Sequence, residues 1–260
     1  MIKGESYFVC GFPYQLPVSA GYYPAEQIRE EMQEDDFDSI SFSMEMESLF
    51  YGESEHAFFS FSDVNAVRKL LRPIYPRPYY AMLGDAKIKY PVKQQGEIRL
   101  IGMDVATAGG SRNDATAICL MQMLPAGNTQ YIRNIVYMET IDGGHGQDQA
   151  IRIRQLYDDF DADYVVIDTN GVGLTVYDQL VQDLYDENRG VEYPAWSCIN
   201  DESMAARSRN PSGQRVIYSV KATAAKNSEM AVLMRDCLKR GKVRFLMHEI
   251  DGEDLYEKNK

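Results

Sequence analysis

The sequence is poor in several residue types that would announce a chemistry or a location. Its four cysteines (Cys10, Cys119, Cys198, Cys237) are scattered, with no CxxC pair. That argues against a disulfide frame or a zinc site and for reduced thiols in a cytosolic setting. The three histidines, His56, His145 and His248, lie far apart and match no metal motif. No apolar run approaches the roughly 20 residues that span a bilayer. The opening MIKGESYFVCGF lacks a signal-peptide layout, because a glutamate interrupts it before any apolar core forms. GxxxxGK(S/T), GxSxG and HExxH are all absent, which excludes a P-loop, a nucleophile elbow and a zincin helix from this stretch of chain. Gly171-Val172-Gly173 lacks the third glycine of a dinucleotide fingerprint. Positive charge is also short, with 27 Lys and Arg against 39 Asp and Glu and a net charge of -12. A globally basic nucleic-acid footprint is therefore excluded, and any phosphate-binding surface has to be local.

What is present divides at about residue 95. A chain of 260 residues suffices for one large domain or two modest ones. Residues 1–95 are rich in aromatics, prolines and acids and show little periodicity. PAEQIREEMQEDDFD, from Pro24 to Asp38, opens as a helix does, on a proline and acids. Ser41 to Phe61 mixes short apolar bursts with a Gly-Glu-Ser break. RPIYPRPYY, from Arg72 to Tyr80, carries too many prolines for a helix or a central strand and reads as a linker. No internal repeat is visible.

Beyond Gly96 the patterns sharpen. Strands are predicted for Ile98–Asp104, Ala115–Leu124 and Thr129–Thr140, with a turn at Pro125 to Asn128. Ala150, Ile153, Leu156, Tyr157 and Phe160 recur at helical spacing after Gln147. YVVID, ending at Asp168, is the fourth strand, and Leu174 to Leu184 the next helix. Pro194 to Asn200 is the fifth strand candidate, followed by a polar loop to Arg215, a helix over about 221–240 and a short strand, KVRFLM. The fold class is therefore α/β: a three-stranded antiparallel meander followed by parallel strands, flanked by helices, with a smaller N-terminal α+β segment.

A right-handed helical crossover brings the fourth strand parallel to a neighbour. If that neighbour is the first strand, Asp104 and Asp168 end adjacent strands at the same edge, about 4.8 Å apart. A lone Asp at a strand end is ordinarily a turn former or helix cap. Asp168, however, is followed by Thr169 and Asn170, which can cap for themselves, and Asp104 precedes VATAGGSRND, with no immediate helix to cap. Two carboxylates that close repel unless a proton or cation lies between them. Oxygen-only ligands favour Mg²⁺ or Mn²⁺, and two such ions about 4 Å apart can drive hydrolysis of a phosphodiester. Ten basic residues between Ser203 and Arg244, including Arg207, Arg209, Arg215, Lys221 and Lys226, face only Glu229 and Asp236 within that window. That segment is the candidate DNA-backbone grip, and its plain alternative is a solvated helix face.

IGMDVATAGGSRNDATAI, YVVIDTNGVGLTVYDQL and IYSVKATAAKN…CLKRGKVRF together resemble the nuclease domain of tailed-bacteriophage terminase large subunits, over about residues 96–247. The resemblance implies an RNase H-like fold, two-metal cutting of concatemeric viral DNA during packaging, and double-stranded DNA, the portal protein and the small terminase subunit as partners. It places the work in the host cytoplasm, transiently on the procapsid, with no membrane association. Asp104 and Asp168 match two metal-binding acids, Asp114 a further ligand or supporting group, and the last acid falls to Asp251 or Asp254. SMEMESLFYGESEHAFFSF resembles the end of a packaging ATPase domain. The implied organisation is an ATPase remnant at 1–71, a linker at 72–95 and the nuclease at 96–260, with the P-loop upstream. The chain then reads as the C-terminal portion of a longer terminase, or as a split gene. A junction resolvase or transposase-like cutter on the same fold, or an inactive docking fragment, are the alternatives.

Overall fold

The computed structural model describes residues 13–33, 42, 46, 57–83, 87–106, 115–127 and 130–247. The chain divides into two compact units, Met1–Ser60 and Phe61–Lys260. In the first, helices span Gln15–Ser19 and Ala25–Glu31, the second entered from Pro24 in extended conformation. Most of Ser41–Phe61 lies outside the described residues.

The second unit is built on one eight-stranded sheet. Its strands are β1 (Arg68–Leu70), β2 (Ile98–Asp104), β3 (Thr116–Pro125), β4 (Tyr131–Ile141), β5 (Tyr164–Asp168), β8 (Ser197–Cys198), β9 (Arg215–Val220) and β10 (Val243–Leu246), while β6 (Leu184–Asp186) and β7 (Val191–Tyr193) form a separate hairpin. The spatial order is β1-β10-β4-β3-β2-β5-β9-β8. β2, β3 and β4 form the expected antiparallel meander, and β5 lies parallel to β2, with β9 parallel to β5.

Side chains alternate between the two faces of each strand. One face carries Arg99, Ile101, Met103, Ile118, Leu120, Val165 and Ile167, all buried. It packs on the helices Gly146–Asp159 and Gly173–Leu180 through Ile153, Leu156, Val176, Tyr177 and Leu180. A smaller cluster, Val67, Ile135, Leu238 and Val243, covers part of the opposite face under the helix Ala224–Lys239.

Several sequence-based expectations need correction. Arg215–Val220 is a central parallel strand, whereas the polar-loop reading stopped at Arg215 and began a helix at 221. The fifth strand candidate shrinks to Ser197–Cys198 at the sheet edge, because Pro194 and the Asp201 cap bound it on both sides. The proline run does not exclude a helix: Arg77–Met82 is helical, with proline at its first turn, where a missing N–H costs nothing. The boundary between the two compact units falls at 60/61, and within the second Arg68–Leu70 pairs with β10 and Ile74 enters the core. Ile74, Tyr90 and Pro91 thus tie their stretches to the sheet.

The tie is polar. Arg99 is 0% exposed and donates to Glu97 Oε1 at 2.6 Å, Tyr90 Oη at 2.5 Å, the Phe160 carbonyl at 2.9 Å and the Pro91 carbonyl at 3.0 Å. Burial alone would raise the Glu97 carboxyl, but the Gln94 N–H and Arg99 hold it below the usual carboxylate range.

Candidate metal centre

The register between β2 and β5 runs Leu100↔Tyr164, Ile101↔Val165, Gly102↔Val166 and Met103↔Ile167. One further step sets Asp104 beside Asp168. By the two-residue period both carboxylates project from the face that carries Gly102 and Val166, at the same end of the sheet. Asp104 also pairs with Ala117 of β3, and Asp168 with Val220 of β9. The topology inferred from the crossover therefore brings the two acids together.

Each acid is held differently. Asp168 Oδ1 accepts the backbone N–H of Asn170 at 2.9 Å and of Ala222 at 3.1 Å. Those bonds fix the carboxylate plane and leave Oδ2 without a protein donor among the described residues. Asn170 Nδ2 in turn donates to the Ala222 carbonyl at 3.1 Å, which ties the β5 exit to the β9 exit. Asp104 is exposed, and its carboxylate forms no hydrogen bond or ion pair with a described residue. No lysine or arginine pairs with either acid among the described residues: Lys221, which follows Asp168's β9 neighbour Val220, pairs with Asp201 at 2.9 Å.

The glycines after Asp168 have separate tasks. Gly171 has φ +61, the left-handed turn that an L side chain resists. Gly173 opens the helix Gly173–Leu180 so close to β5 that a Cβ there would stand 1.8 Å from the Asp168 carbonyl oxygen. They make a turn and a close approach, and no phosphate cradle is needed to explain them.

The basic segment turns out differently from its linear count. Arg207 pairs with Asp178 at 2.5 Å, Arg215 with Glu202 at 2.7 Å, Lys221 with Asp201 at 2.9 Å and Lys226 with Glu229 at 2.9 Å. Asp178, Asp201 and Glu202 lie outside the 203–244 window, so counting within it missed the acids that fold against these cations. Only Arg209 of the five is exposed with no ion pair to a described residue. Asp114, Asp251 and Asp254 lie outside the described residues. Among the described residues no group of three or more His, Cys, Asp or Glu could hold a metal ion. Of the cysteines, Cys119, Cys198 and Cys237 are free thiols, and burial pushes Cys119 up to about 11.

Sequence reasoning missed the groups that brace this end of the sheet. A threonine in a strand and a glutamine in a helix carry no motif, yet Thr116 and Gln149 are buried and bonded to the backbone just past Asp104.

The chain belongs to the family described as Terminase RNaseH-like domain, whose match covers residues 101–258. Its fold is RNase H-like, a large mixed sheet flanked by helices. Similar solved structures include the large terminase nuclease of thermophilic phage G20c with bound magnesium, at 14% identity and TM-score 0.41, covering 78% of this chain and 80% of that one. The same nuclease with bound cobalt gives 14% identity and TM-score 0.40, with 76% and 77% covered. The large terminase nuclease domain of Thermus phage P74-26 gives 19% identity and TM-score 0.31, with 62% of each chain covered. No curated protein matches.

Proposed function

We propose that this chain is the metal-dependent endonuclease domain of a phage large terminase, cutting concatemeric viral DNA during packaging. The observation that carries this reading is the pair Asp104 and Asp168, in register on adjacent parallel strands with no cation among the described residues paired to either. Side-by-side carboxylates without a counter-charge are unfavourable, and their all-oxygen donor set fits Mg²⁺ or Mn²⁺. When bound, two such ions would supply Lewis-acid activation of a water and stabilisation of the leaving oxygen.

The chain's own residues do the rest. Asp168, oriented by the Asn170 and Ala222 amides at Oδ1, keeps Oδ2 without a described protein donor and would offer it to the metal. Asp114 and either Asp251 or Asp254 would complete the ligand set. Arg209, with Arg207, Arg215, Lys221 and Lys226 where their carboxylate partners yield to phosphate, would grip the backbone of double-stranded DNA. Phosphate contacts carry no base information, so cutting by this domain alone is largely sequence-independent. Residues 1–71 would be the end of the packaging ATPase domain, the portal protein and small terminase subunit the protein partners, and the host cytoplasm the site of action.

The test is nicking of supercoiled plasmid in Mn²⁺. Wild-type protein should nick, EDTA should stop it, and Asp104→Ala and Asp168→Ala should each lower the rate at least about 100-fold, as expected when charge stabilisation of the transition state is removed. Nicking retained in both variants would overturn the assignment. A strong preference for branched over linear DNA would point instead to a junction cutter.

A further inference from the structure

The Asp104 carboxylate stands at the end of a strand, and what holds the chain just beyond it lies two residues on. Thr116 Oγ1 is 2.8 Å from both the Ala106 nitrogen and the Ala106 oxygen, and 3.1 Å from Gln149 Oε1. Gln149 Nε2 is 3.0 Å from the Ala106 oxygen and 3.3 Å from the Gly143 oxygen. Thr116 is 0% and Gln149 1% exposed.

One arrangement of hydrogens satisfies every atom. A hydroxyl has one proton, so Thr116 donates to Gln149 Oε1 and accepts from the Ala106 N–H. The two amide protons of Gln149 then go to the Ala106 and Gly143 carbonyls. Nothing in this group is left over. The bracket joins the exit of β2, the start of β3 and the loop between β4 and the helix Gly146–Asp159. Val105, between Asp104 and Ala106, is itself buried, with its Cγ2 3.7 Å from where a Gly173 Cβ would lie. The residue after Asp104 is therefore clamped by packing and the next by hydrogen bonds, while the Asp104 side chain stays in solvent.

We infer that Thr116 and Gln149 are positioning residues for the metal centre, fixing the Asp104 main chain so that its carboxylate is preorganised opposite Asp168. The inference rests on the proposed function, since it concerns the same site. Groups behind a metal ligand are worth about 10–100-fold in metal affinity. The full chain is compared with Thr116→Val, which keeps the shape and loses the hydroxyl, Gln149→Met, which keeps the length and loses the amide, and Thr116→Ser as the rescue.

Three measurements are made without DNA: melting in EDTA, Mn²⁺ affinity by calorimetry, and exchange of the Ala106 amide. In Thr116→Val the Ala106 amide should exchange at least about tenfold faster, its acceptor being gone. Thr116→Val and Gln149→Met should each weaken Mn²⁺ binding about tenfold or more, with Thr116→Ser returning to within about threefold. Unchanged Mn²⁺ affinity in a folded variant, with wild type binding, overturns this inference and leaves the function intact. A wild type that binds no Mn²⁺ overturns the function, and the bracket then stands or falls on Ala106 exchange. Should Thr116→Val fail to fold, Gln149→Met carries the affinity test.

Discussion

At the scale of single residues, the tightest approach at any glycine among the described residues is at Gly173. A Cβ there would overlap the Asp168 carbonyl oxygen at 1.8 Å, and a backbone atom cannot swing aside as a side chain can. Gly173→Ala must push the helix off the end of β5, at about 3 kcal/mol, the upper part of the usual overpacking range. Over a domain of this size that is a fall in melting temperature of roughly 6–12 °C. Gly171→Ala meets no atom within 4 Å and pays only for its φ of +61, about 1 kcal/mol. Thermal melts of the two variants should therefore separate clearly, and equal losses would refute the close-approach reading. Because the displaced atom belongs to Asp168, Gly173→Ala should also weaken Mn²⁺ binding more than Gly171→Ala does. That Gly171-Val172-Gly173 is no dinucleotide fingerprint was legible in the sequence, but the need for glycine at 173 was not. That need comes from an approach between elements, which no local pattern records.

At the scale of elements, the strands that alternate cleanly were legible and those that depend on neighbours were not. Ile98–Asp104 and Tyr164–Asp168 announce themselves by apolar runs; the crossover made β5 parallel to some neighbour, and only the register shows that neighbour to be β2, which sets the two candidate acids side by side. Arg215–Val220 was missed because an arginine opens it and a half-exposed tyrosine interrupts it, although it lies between β5 and β8. The prolines of 72–95 likewise give no sign in the sequence of the contacts that Tyr90 and Pro91 make with Arg99. That residue permits a sharp test. Arg99→Met leaves Glu97 buried without its partner and should cost about 3–5 kcal/mol near neutral pH, measured by denaturant unfolding. Glu97's folded pKa lies below its unfolded value of about 4.3, so the pair stabilises above that pH and its contribution fades as pH falls through the folded value. The penalty of Arg99→Met should accordingly shrink in acid. Arg99→Met with Glu97→Leu should recover much of the loss, since replacing a whole buried pair is far cheaper than halving it.

At the scale of the whole molecule, charge sets how DNA can be held. The chain carries a net charge of -12, and four of the five cations assigned to the DNA grip are engaged by carboxylates. A phosphate must compete with Asp178, Glu202, Asp201 or Glu229 for each of them, and the gain from releasing counterions is reduced by whatever the displaced acid loses. Without a divalent ion, affinity for double-stranded DNA should be weak and should vary little with salt. The acids can be neutralised without touching the cations: Asp178→Asn, Asp201→Asn and Glu202→Gln keep shape and free Arg207, Lys221 and Arg215. If these side chains face the duplex, the triple variant should bind more tightly at low salt. Its plot of log K against log salt should steepen by up to about 3, near 0.9 for each phosphate newly neutralised. Asp201 also caps the helix Glu202–Ala205 through the Ser203 and Met204 amides, and asparagine can keep that role, so the fold should survive the change. Anisotropy titrations between 50 and 200 mM salt read the slope directly. An unchanged slope in the folded triple variant would mean that the 203–244 segment is a solvated face, and that the duplex is gripped elsewhere.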